Sequence, residues 1–258
     1  MKSIINKILK YFNLKLTKYS TYKTLSTNNR IFDFKFINLI NDKNKVFNTL
    51  KYFDLSHSQL RQDLFVLNEL NYKNNGFFVE FGAADGVYLS NTHLLEKKFK
   101  WTGILAEPAK IYHDELKRNR KCSIENKLIW KTSGLKLSFS ENLKPEFSTI
   151  NDFSKSDFHL RNEKIRYDIE TISLNDLLKK FNAPKIIDYL SIDTEGSEFD
   201  ILKNFDFDDY KFRIITCEHN YTINRDRIYN HLLNKGYVRK FSNITEFDDW
   251  YINPSIII

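Results

Sequence analysis

The 258 residues are long enough for one α/β domain with an extension, and a chain of this size buries roughly 70 to 75% of its unfolded surface, so its core needs no disulfide or metal staple. Two cysteines, Cys122 and Cys217, lie in apolar runs without a C-x-x-C pair, which argues against a zinc site and for a reduced, cytoplasmic setting. Of the net charge of +7, six units reside in residues 1–23, which carry six lysines and no acid; the remaining 34 basic and 33 acidic residues nearly cancel, which excludes a basic groove for nucleic acid.

No apolar run reaches the roughly 18 residues needed to span a bilayer, and the start of the chain lacks the small-residue cleavage site of a signal peptide. At its beginning Ile4, Ile5, Ile8, Leu9, Phe12 and Leu16 fall within an arc of roughly 140°, the pattern of an amphipathic helix. Its lysines, Lys15 excepted, lie off that arc, which suits peripheral contact with an anionic membrane or docking onto the protein's own body. Residues 20–55 read as a connecting region with one helix over 43–53. A helix is expected over 56–70, with Leu60, Leu64, Leu67 and Leu70 on one face, followed by an Asn74-Asn75-Gly76 turn.

Strands and helices then alternate, which predicts a parallel sheet covered by helices. The expected strands are 77–81, 103–107, 122–129, 186–192 and 212–218, and the expected helices 90–99, 109–119, 173–181, 197–204 and 223–235. Ser90, Ser173 and Ser197 stand where N-caps belong. Residues 132–170 break the alternation: a hairpin is expected at 135–140, then a polar stretch without a period that reads as an active-site cover or a plain surface loop. Two closing antiparallel strands are expected, one at residues 236–238 and one over 250–258. The expected division is 1–55 as extension and 56–258 as the α/β domain.

The run from Phe78 to Tyr88 passes from a β-prone stretch into a small-residue loop that leads to a helix, the arrangement that seats a nucleotide-like cofactor. A dinucleotide fingerprint requires glycine at 82, 84 and 87, and only Gly82 is present. The pattern acidic-x-G-x-G-x-G is met by Glu80, Gly82 and Gly86 with Ala84 replacing one glycine, and it favours S-adenosylmethionine. Glu80 is then placed to face the ligand's ammonium group, and Glu107, at the tip of the second strand, to accept both ribose hydroxyls. The remaining expected cofactor contacts are Asp85, Asn91, Pro108, Asn126 and Asp193.

Two acidic clusters end the later strands: Asp193-Thr194-Glu195-Gly196-Ser197-Glu198 and Glu218-His219-Asn220. In open α/β sheets such strand ends face one crevice. Together with Ala106-Glu107-Pro108, Ser90-Asn91-Thr92, Gln62-Asp63 and Asp248-Asp249-Trp250-Tyr251, they make residues 56–255 resemble the FkbM family of methyltransferases. That resemblance implies a class I methyltransferase fold, Rossmann-like and mostly parallel with helices on both faces. It also implies S-adenosylmethionine and, as a rule, O-methylation of a sugar, glycan or natural-product hydroxyl. For removing the acceptor proton the residues offer His219, Asp193 or Glu218 as base. A divalent ion such as magnesium, held by Asp193 with Glu218 or Asn220, is the alternative. Glu195 and Glu198 also fit as helix caps, and His93 reads as an ordinary helix residue. The competing classes are a nicotinamide-dependent oxidoreductase, and a glycosyltransferase or binding module using Asp193-Thr194-Glu195 for a metal.

Overall fold

The computed structural model describes residues 31–142, 149–150 and 163–257, so the expected helix over 1–20 lies outside the described residues. The chain divides into two compact units, one ending at Val46 and one beginning at Phe47. Residues 31–38 are helical in the first. Helix α1 is Lys43–Tyr52. In the second unit α2 (Gln62–Glu69) precedes strand β1 (Phe77–Phe81), α3 (His93–Phe99), β2 (Thr102–Ala106), α4 (His113–Asn119) and β3 (Ser123–Glu125). Then come β4 (Leu128–Trp130), β5 (Lys136–Asn142), β6 (Thr149–Ile150) and β7 (Glu163–Ser173). The last part contains α5 (Leu174–Lys180), β8 (Ile186–Ile192), α6 (Glu198–Lys203), β9 (Lys211–Glu218), α7 (Asn224–Asn234), β10 (Val238–Lys240) and β11 (Asp248–Ile252). Among the described residues no helix is long and apolar enough to cross a membrane.

Seven strands form one sheet in the order β10-β11-β9-β8-β1-β2-β3. The five from β9 to β3 are parallel, and β10 and β11 add an antiparallel edge. β1 and β8 are near-continuous apolar runs because a parallel strand is covered on both faces. One face packs Val79, Ile104, Leu190 and Tyr251 in a single core with Leu177 of α5, Leu202 of α6 and Leu232 of α7. The neighbouring residue Trp250 points to the other face, where its ring meets Phe65 of α2 at 4.7 Å. The sequence direction of the strands reverses between β1 and β8, so a crevice opens beyond their carboxyl ends.

Several expected elements differ from those observed, among them the last strand, which is Asp248–Ile252. The single strand over 122–129 is two: β3 joins the large sheet, whereas β4 pairs with β7 in a second sheet of order β4-β7-β5-β6. The chain turns between them, where the Glu125 carboxylate accepts the Lys127 amide. The helix over 56–70 begins only at Gln62, because Arg61 has a left-handed φ of 63° and the Gln62 side chain accepts the Leu60 amide. No turn closes a hairpin inside 135–140; β5 runs straight through and pairs antiparallel with β7. The loop expected over 144–168 is therefore strand from residue 163 on, and its residues 144–148 and 151–162 lie outside the described residues.

Candidate active site

At the end of β1, Gly82 adopts φ +72°, and a Cβ there would lie 2.3 Å from the Asp193 carbonyl oxygen. The loop backbone thus rests directly on the end of β8. Ala84 donates its amide to Glu107 Oε2 at 2.8 Å, and Ala109 donates to Oε1 at 2.8 Å. Glu107 therefore ties the loop after β1 to the turn after β2. Burial raises its carboxyl to about 7, and Asp193 and Glu141 nearby add to the rise. Asp85 uses Oδ1 to accept the Val87 and Tyr88 amides, so it shapes the turn.

Glu80 is 2% exposed, and both its oxygens are engaged. Oε1 accepts the Asn91 amide; Oε2 accepts the Ser90 and Thr92 hydroxyls. Burial raises its pKa, opposed chiefly by Arg120, whose Nη1 stands 3.8 Å away. Arg120, at the carboxyl end of α4, is itself buried and bonds Glu96, the Gly86 carbonyl, Ser90 and Thr92. Gly86 has φ +81°, and a Cβ there would press to 2.6 Å from Arg120 Cγ. The small residue at 86 thus makes room for a guanidinium clamp on the loop.

Beyond β8 and β9, carboxylate oxygens of Asp193, Glu195 and Glu218 all lie within 4.8 Å of one another. Asp193 and Glu218 are hydrogen-bonded partners, and burial raises both above the usual carboxylate range. Glu198 accepts the Thr194 amide, the Thr194 hydroxyl and the Gly196 amide, which makes it the cap of the turn. Asp248 Oδ2 accepts from Gln62 and Trp250, and burial raises its carboxyl to about 7.

These groups line one cleft with an empty volume of about 1080 Å³, open solvent included. Of the expected residues, Glu80, Gly82, Ala84, Asn91, Glu107, Pro108, Asp193 and Glu218 line it; Asp85, Gly86, Asn126, His219 and Asn220 do not. His219 accepts the Tyr221 amide on Nδ1, which leaves its hydrogen on Nε2, 3.8 Å from Asp249 Oδ1. Burial lowers its pKa to about 4. Asn220 spends its amide on Glu218 Oε2. Sequence reasoning missed Arg120 and the wall contributed by Leu128, Ile129 and Phe139 of the second sheet. It quoted Gln62 and Asp248 without placing them in the cleft. An acid and an amide 186 residues apart leave no local signal.

Among solved structures the chain is similar to the methyltransferase FkbM from Methylobacillus flagellatus KT, at 12% identity and a TM-score of 0.46, covering 80% of this chain and 59% of that one. It is also similar to precorrin-6y C5,15-methyltransferase from Geobacter metallireducens GS-15, at 11% identity, a TM-score of 0.40, and coverage of 74% and 85%. A third is the human methyltransferase 10 domain containing protein, at 11% identity, a TM-score of 0.41, and coverage of 75% and 81%. No curated protein sequence matches significantly. The pattern of the methyltransferase FkbM domain matches residues 80–250, well over half of the chain and every strand end that builds the cleft, and the chain belongs to the FkbM methyltransferase family.

Proposed function

We propose that this cleft binds S-adenosylmethionine and passes its methyl group to a hydroxyl of a sugar, glycan or natural-product acceptor. The observation that carries the reading is Glu107, a buried carboxylate at the end of β2 whose two oxygens hold one backbone amide each. A carboxylate offers about four lone-pair sites, so each oxygen retains one for a ribose hydroxyl. The backbone cradle at Gly82 and the partnerless, buried Asn91 Oδ1 in the lining fit a ligand seated over the loop. Free thiols at Cys122 and Cys217 support a reducing, cytoplasmic compartment.

When bound, the cofactor supplies an electrophilic methyl carbon: a C–O bond forms as the C–S bond breaks, and its electron pair stays on sulfur as a neutral thioether. The protein's own part is alignment and proton removal. Asp193 lies in the cleft beside the loop, and a carboxylate whose pKa burial has raised is a stronger base than a solvated one. In this reading Asp193, bonded to Glu218, takes the hydroxyl proton. His219, outside the lining, is assigned no proton transfer.

Melting curves with S-adenosylhomocysteine, NADH and a nucleotide sugar test the reading, because a ligand of the native state raises the melting temperature. A rise with S-adenosylhomocysteine alone is expected; a rise with NADH alone overturns it. Labelled methyl donor incubated with glycan fractions then identifies the acceptor, and label found only on nitrogen would refute the hydroxyl assignment.

A further inference from the structure

Several buried carboxylates outside the cleft lining are held by cations or by a cluster of donors. Asp249 pairs with Arg225 and Arg239, Asp188 with Lys73 and Arg213, and Glu125 with Lys180. Glu198 is met by three donors from its own turn. The acids of the cleft differ from these. Among the described residues no lysine or arginine pairs with Asp193, Glu218 or Asp248.

We propose that Asp193, Glu195 and Glu218 bind a hard divalent cation, magnesium or manganese, at the floor of the cleft. Their oxygens come from the ends of two adjacent parallel strands and converge within 4.8 Å, close enough to share one ion. An independent observation comes from β11. Asp248 is the register partner of Glu218, and cross-strand partners carry their side chains on the same face. Asp248 is 4% exposed, lines the same cleft, and its Oδ1 has no partner. A buried acceptor atom without a donor is costly, and a metal-bound water is a donor of suitable chemistry. Asn220, expected as a ligand, is turned onto Glu218, and Glu195 stands in the group instead.

Three carboxylates leave part of an octahedral shell for water or for the acceptor hydroxyl, whose proton is then lost more easily. With the ion in place Asp193 is a ligand and not the base, and the proton passes to solvent; that role rests on the methyl-transfer reading above, whereas the ion site itself does not.

Calorimetric titration of manganese and of magnesium into the full chain, after treatment with chelator, tests the site. The expected result is one ion per chain and a higher melting temperature. Glu195→Gln and Asp193→Asn should each weaken binding at least about tenfold, and Asp248→Asn should weaken it by about tenfold through its bound water. Absence of heat and of any melting shift with either ion at millimolar concentration overturns the proposal from the wild type alone, whatever the variants do. Binding that Glu195→Gln leaves unchanged overturns it too, since the ion then sits elsewhere. A cooperative melt in the presence of chelator shows that each variant is folded, and the wild type's melting shift with S-adenosylhomocysteine is read in the same buffer. That shift tests the methyl-donor reading separately from the ion.

Discussion

Glu107 accepts one amide on each oxygen, an arrangement that only a carboxylate satisfies. A glutamine there would turn its NH2 against the amide of Ala84 or Ala109. Glu107→Gln is therefore expected to weaken S-adenosylhomocysteine binding by about 1.5 to 3 kcal/mol, the worth of hydrogen bonds to a charged group. Calorimetry showing unchanged affinity would remove Glu107 from the ribose site. The place of this residue in the cleft was legible because its signal is local: an acid closing an apolar run some twenty residues after the loop. His219 was attractive by residue type alone, and position decided otherwise. Its Nε2 stands 3.8 Å from Asp249, which lies on the face away from the cleft and is already satisfied by two arginines.

The elements that position the site were legible where their period was clear, as in the apolar runs of β1, β8 and β9. They were not where long-range pairing set the structure. Nothing in residues 122–129 marks the point at which β3 and β4 part into different sheets, because the sheet that claims β4 is completed by β7 some forty residues later. Arg120 was illegible for the same reason: it joins α4 to Glu96 of α3 and to the loop at Gly86, 24 and 34 residues away. Arg120→Ala strands Glu80 without its cation and leaves Glu96 only Lys97, and breaking one partner from a buried pair costs about 3 to 5 kcal/mol. Denaturant unfolding should show a loss of that size, and a loss under about 1 kcal/mol would mean that the clamp is not what secures the loop.

For the whole molecule, the acidic cleft dictates how stability follows pH. Burial raises Asp63 to about 6 and Glu107 and Asp248 to about 7. An acid with a raised folded pKa binds its proton more tightly when folded, so this stability is present at low pH and lost as pH rises through the folded value. His93 and His219, held down to about 4, act oppositely, but only below their ordinary value of 6.5. Above that value the opposing effect of these two histidines fades and that of the raised carboxylates remains. The melting temperature of the ligand-free chain should fall between pH 6.5 and about pH 8, and a flat or rising curve would contradict the buried acids. The sheet's ends carry a different consequence. Its two outermost strands, Ser123–Glu125 and Val238–Lys240, are three residues each, and the second displays Arg239 and Lys240. Strands so short, one of them charged, give a foreign strand almost no ladder to extend, so the folded protein is guarded against edge-to-edge aggregation.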